Sequence, residues 1–63
     1  MWKVIYIAPT AKMAERIRQE LSEEGFLVQI RPIQMSKQQY EILVPEGELE
    51  DVQEVLGTIL NRT

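Results

Sequence analysis

The 63-residue chain predicts an α+β fold, a two-layer sandwich in which a three-stranded antiparallel sheet carries two helices on one face. Three observations lead there. A β-branched and aromatic run, "KVIYIA", opens the chain; two further apolar runs, "LVQIRPI" and "YEILVP", sit near its middle with only "QMSKQQ" between them; and the two remaining stretches repeat their apolar residues at helical spacing.

The first strand is expected from about Trp2 to Ala8, because Pro9 follows and cannot donate to a ladder. From Ala11 the period becomes helical. Met13, Ala14, Ile17 and Leu21 form one stripe, with Lys12, Glu15, Arg16, Gln19 and Glu23 opposite and Arg16 and Glu20 at ion-pair spacing. Thr10 is the natural N-cap. "EEGF" ends the helix, since Gly25 tolerates the left-handed C′ conformation and Phe26 can then fold back on Leu21.

Pro32 interrupts the second strand and assigns it to a sheet edge or a bulge. "QMSKQQ" reads as a tight hairpin connection. The register that keeps Val28, Ile30, Ile42 and Val44 on one face puts Gln29, Arg31, Glu41 and Leu43 on the other, with Arg31 and Glu41 as a cross-strand ion pair. After Pro45 the acidic run "EGELED" complements the positive end of a second helix, whose stripe is Leu49, Val52, Leu56, Ile59 and Leu60.

The order β-α-β-β-α forms one domain over residues 1–63. A right-handed crossover through the first helix, with the hairpin partner inserted, gives strand order 1-3-2. This is a truncated ferredoxin-like fold, a split βαβ lacking its last strand, so one side of the first strand stays unpaired. The expected core is Ile5, Ile7, Ile17, Leu21, Phe26, Ile30, Ile42, Leu49, Val52, Leu56 and Ile59.

Composition narrows the function. The chain has no Cys and no His, so disulfides, the usual zinc, copper and non-haem iron ligand sets, and the commonest catalytic bases and nucleophiles are absent. No D-x-D-x-D-G calcium loop occurs either. No catalytic residue, metal or cofactor is expected, and a chain this short could enclose a pocket of ordinary size only between subunits. The net charge is −3. Residues 46–63 carry five acidic groups against Arg62, while residues 1–45 carry six basic and five acidic groups, which is no footprint for nucleic acid. "MWKVIYIAP" is too short and mixed for a signal peptide, and nothing approaches a membrane span, so a cytoplasmic protein is the expectation.

Three segments, "YIAP" entering the first helix, "LSEEGF" at its end and "ILVPEGELEDVQEVL" at the last strand and helix, together resemble a family of small prokaryotic signal-transducing proteins of unknown function. That family is related in fold to the PII (GlnB-like) group. The segments keep the family's order and comparable spacing over nearly the whole chain. What the resemblance implies is mostly a fold; the expectation of a small regulatory or interaction module draws instead on the missing catalytic side chains, the small size and a largely apolar sheet face. PII proteins signal through a long loop between the second and third strands, and "QMSKQQ" is far too short for that, so the PII mechanism and its residues do not carry over.

Two sets of candidate site residues remain. Thr10 and Lys12 stand at a strand-to-helix junction where backbone N–H groups could hold an anion or nucleotide; no Gly there lets a phosphate approach the backbone, and the expected role of Thr10 is the cap, with Lys12 a solvated side chain. The other set lies on the first strand, where alternation admits two phases. With Ile5 and Ile7 beneath the helices, Trp2, Val4 and Tyr6 line the uncovered sheet face beside Leu43; in the reversed phase Tyr6 packs in the core. The first phase is the expectation. It makes Trp2, Val4, Tyr6 and Leu43 an interaction surface, and it implies a homodimer, formed through that face or through the unpaired strand edge. An unidentified protein partner could use the same face.

Overall fold

The computed structural model describes residues 1–35 and 38–62. Among them three strands and two α-helices follow in the expected order: β1 (Trp2–Ala8), α1 (Ala11–Glu23), β2 (Gln29–Pro32), β3 (Tyr40–Pro45) and α2 (Leu49–Arg62), with a 3₁₀ turn at Glu46–Glu48 ahead of α2. The sheet order is β1-β3-β2, both pairings are antiparallel, and Pro32 closes the edge strand β2. Ser36 and Lys37 of the expected hairpin connection lie outside the described residues. The ends of that connection are joined by a hydrogen bond from the Ile33 N–H to the Gln39 carbonyl, 3.1 Å.

Local chemistry sets the helix ends. Thr10 has an extended, β-region backbone, and its side chain accepts a 3.1 Å hydrogen bond from the Met13 N–H, satisfying one of the unpaired donors of the first turn. At the other end Gly25 takes φ 94°, which lets the Phe26 N–H reach the Leu21 carbonyl and the Gly25 N–H reach the Ser22 carbonyl. That pair of bonds is the Schellman closure. In α2 the acidic residues Glu50 and Asp51 occupy the first turn and Arg62 the last, each matched to the dipole end beside it.

The helices cover one sheet face. Ala14, Ile17 and Leu21 of α1 and Val52, Leu56 and Ile59 of α2 close on Ala8, Ile42 and Val44 of the sheet, all effectively removed from water. Tyr6, Ile5, Phe26, Val28, Ile30, Tyr40 and Leu49 pack around this cluster. At the far end of the helices Arg62 donates to Glu20 at 2.8 Å, and Arg16 lies 3.6 Å from the same carboxylate, so Glu20 links Arg16, one turn earlier on α1, to the end of α2.

One feature of β1 departs from regular alternation. Val4 pairs with Leu43 and Tyr6 with Ile42, so two steps along β1 match one step along β3 and Ile5 is the extra residue of a β-bulge. Inserting one residue reverses the phase of everything beyond it. Trp2 and Val4 therefore point to the uncovered face, as the first phase has it, whereas Tyr6 and Ala8 point under the helices and Ile7 points away from them. The expectations that Tyr6 lines the open face and Ile7 fills the core are both corrected by this single inserted residue.

Two stability changes test this arrangement. Leu56→Ala should lower unfolding free energy by ~2–5 kcal/mol, as buried Leu truncations do. Tyr6→Glu should also destabilise strongly in chemical denaturation, by placing a charge against the core, whereas Ile7→Thr should change stability by less than ~1 kcal/mol. The reverse ranking of the two β1 variants would contradict the bulge.

Candidate interaction surface

A sheet with helices on one side must present its other face to solvent or to a partner. Pairing in register places residues on a common face, and three rows result. Trp2 stands beside Pro45; Val4, Leu43 and Gln29 form the middle row; Ile7, Glu41 and Arg31 form the third. The bulge is what keeps Val4 and Ile7, three apart in sequence, on the same face.

The exposures describe an apolar floor with a raised rim. Leu43 is only 3% exposed although it belongs to no part of the cluster beneath the helices, because its neighbours on the open face shield it. Trp2, Val4 and Ile7 remain 40%, 43% and 42% exposed. Apolar side chains that far into water, contiguous along one strand, form a patch of the kind associated with contacts between proteins. The β2 side of the face is polar. Arg31 Nε donates to Glu41 Oε1 at 2.9 Å, the expected cross-strand ion pair, with Gln29 beside it. An open groove of about 500 Å³ borders this pair and is lined also by Pro32, Ile33 and Gln34.

Of the residues expected on this surface, Trp2, Val4 and Leu43 are brought together and Tyr6 is not. Ile7 takes the place of Tyr6. Sequence reasoning missed it because every position from Val4 to Ala8 is apolar, which leaves period-2 reading without a phase. The available signal was Ala8, whose small side chain just before the helix cap suits the crowded site under α1 and α2 that it occupies. Counting back from Ala8 puts Tyr6 inside and Ile7 outside.

The junction between β1 and α1 has a different character. Thr10, Lys12, Met13 and Arg16 line a shallow cleft of about 180 Å³, and no acidic residue stands in the first turn of α1. The Thr10 hydroxyl oxygen is engaged by the Met13 N–H as the cap, while Lys12 is exposed. Elsewhere on α1, Glu15 and Arg18 form a surface pair; the hydrogen bond from Arg18 holds the Glu15 carboxyl below the usual carboxylate range. Its contribution is present above the unfolded carboxyl value and is lost as pH falls through the lowered one.

Among the described residues no group of acidic side chains is arranged to hold a metal ion, and no helix is long and apolar enough to cross a membrane. Comparison with family models, with curated proteins and with solved structures finds no match. The functional reading therefore rests on the surface itself.

Removal of the cap by Thr10→Ala should lower stability by ~0.5–2 kcal/mol in thermal or denaturant unfolding. A double-mutant cycle on Arg31 and Glu41 should return a coupling below ~1 kcal/mol, because the pair is solvated. A much larger coupling would mean that the pair is desolvated by something seated on the face.

Proposed function

We propose that the chain is a small regulatory or protein-interaction module that works through its uncovered sheet face and associates as a homodimer. The observation that carries this reading is the row of half-exposed apolar residues, Trp2, Val4 and Ile7, around the shielded Leu43. Burying apolar surface contributes ~25 cal/mol per Å², and an aromatic side chain can bury ~150–250 Å², so covering this face offsets a good part of the entropy lost on association. The signal-transducing, GlnB-like family that three sequence segments resemble agrees with a non-catalytic, cytoplasmic regulator in a prokaryote. No catalytic step or cofactor belongs to this reading.

A second reading has a specific observation in its favour. The cleft at the β1–α1 junction, with Lys12 and Arg16 beside an N-terminal turn free of acidic residues, suits an anion or nucleotide sensor. A thermal-shift screen with phosphate and nucleotides separates the two, since a ligand at a hundred times its dissociation constant adds ~2.7 kcal/mol. A shift abolished by Lys12→Ala would support the sensor.

For the interaction module, sedimentation velocity from micromolar to millimolar concentration should show a monomer–dimer equilibrium. Val4→Glu changes an exposed residue and should move that equilibrium toward monomer while leaving the melting temperature of the subunit nearly unchanged. A wild-type chain that stays monomeric throughout would overturn self-association.

A further inference from the structure

The bulge at Ile5 divides β1 into two halves that are held differently. Tyr6, Ile7 and Ala8 pair with Ile42, Glu41 and Tyr40 and run directly into Pro9 and the Thr10 cap, so α1 fixes their register. Trp2, Lys3 and Val4 pair with Pro45, Val44 and Leu43, and the ladder with β3 is what holds them. Met1, ahead of them, is exposed. A slide of this half by one residue step, ~3.4 Å, displaces neither helix.

Such a slide removes the bulge and leaves the ladder intact. The Ile33 N–H bonds the Gln39 carbonyl, so alternation along β3 aims the backbone groups of Glu41 and Leu43 at β2 and those of Ile42, Val44 and Glu46 at β1; the Glu46 N–H is indeed bonded to the Met1 carbonyl at 2.8 Å. In the straight register the same groups meet Tyr6, Val4 and Trp2. The Glu46 N–H then takes the Trp2 carbonyl in place of that of Met1.

Side chains are exchanged on comparable terms. In the bulged register the fully buried Val44 stands opposite the exposed Lys3, and Ile5 has no partner across the sheet. The straight register replaces these with Val4 opposite Val44 and Ile5 opposite Leu43, pairs of branched apolar residues that suit a sheet. In return the bulged register keeps Trp2 beside Pro45 and Ile5 against the helix-side core. A one-residue slip ordinarily drives polar side chains into a core. Here the apolar run over residues 4–8 removes that penalty.

We infer that the first half of β1 exchanges between these two registers and that the exchange switches what the uncovered face displays. The bulged register shows Trp2 and Val4; the straight one shows Lys3 and Ile5 and turns Trp2 and Val4 to the helix side. Tyr6 and Ile7 keep their places in both. The exchange belongs to the isolated subunit, and only its consequence rests on the interaction reading above: a partner that covers Trp2 and Val4 binds the bulged form alone, so its apparent affinity falls with the fraction of chains in that form.

The test uses the chain at concentrations where sedimentation shows monomer. Backbone relaxation dispersion should detect exchange at Lys3, Val4, Val44 and Glu46 and none at Ile30 or Arg31. Deleting Ile5 joins Val4 to Tyr6 in a continuous ladder with Trp2 and Val4 still outward, so the exchange should vanish. Val4→Glu should also abolish it, because the straight register would set the carboxylate against Val44. Ile5→Lys biases the chain the other way. Its scalar coupling across the hydrogen bond should name the Trp2 carbonyl as the acceptor of the Glu46 N–H, and emission from Trp2, the one tryptophan of the chain, should move to shorter wavelength. Flat dispersion profiles in the wild type overturn the exchange unless Ile5→Lys moves the acceptor to Trp2, which establishes the second register by itself. Wild-type exchange that survives deletion of Ile5 overturns it as well. Self-association is read separately by sedimentation, and its failure would leave the two registers standing.

Discussion

One inserted residue on an edge strand governs what this small protein shows to its surroundings. Ile5 adds a step to β1 that β3 does not match, so the two halves of β1 present opposite phases to the helices. The second half supplies Tyr6 and Ala8 to the core, where Ala8 is small enough to lie under the helices. The first half cannot do the same, and Trp2 and Val4 are turned outward to join Ile7. Without the bulge, strict alternation from Ala8 would put Val4 and Trp2 on the helix side and leave only Ile7, Ile5 and Lys3 outside. The same insertion thus concentrates apolar residues on the open face and roughens the edge beside it.

The rest of the fold makes that arrangement affordable. A domain of this size has a small core, so polar contacts outside it matter: the Thr10 cap and the Gly25 Schellman turn close the two ends of α1, and the long-range Arg62–Glu20 pair ties α1 to the end of α2. β3 is the keystone of the sheet. It is the central strand, its Ile42 and Val44 face the helices, and its Leu43 faces the other way yet is nearly as shielded. On the uncovered face Leu43 is thus shielded while Trp2, Val4 and Ile7, on the edge strand beside it, stay about 40% exposed.

Most of the architecture was legible in the sequence, and the reasons are local. Thr10, Gly25 and Pro32 each have a conformational or donor constraint that allows few positions, and they fixed the start of α1, its end and the edge placement of β2. In "YEILVP" the charged Glu41 marks the outward phase, and its pairing with Arg31 set the correct hairpin register. Legibility failed where the pattern carried no contrast. In "VIYIA" apolar residues fill every position, and a bulge built without glycine leaves no compositional mark. Tyr6 and Ile7 changed places for that reason, and the candidate surface changed with them. The second strand is also shorter than its apolar run suggested, since Leu27 and Val28 belong to the approach from α1, where the Leu27 N–H donates to the Glu48 carboxylate at 3.3 Å.

The orientation of β1 is the claim on which the surface depends, and a nuclear Overhauser spectrum of the monomer under dilute conditions reads it directly. The account predicts that the Tyr6 ring protons contact methyl groups of the helix-side core such as Ile17 and Ile42, while the Ile7 methyls contact residues of the uncovered face and none on α1 or α2. Strong contacts from Ile7 to Ile17 or Leu56, with the Tyr6 ring showing none to the helices, would contradict it.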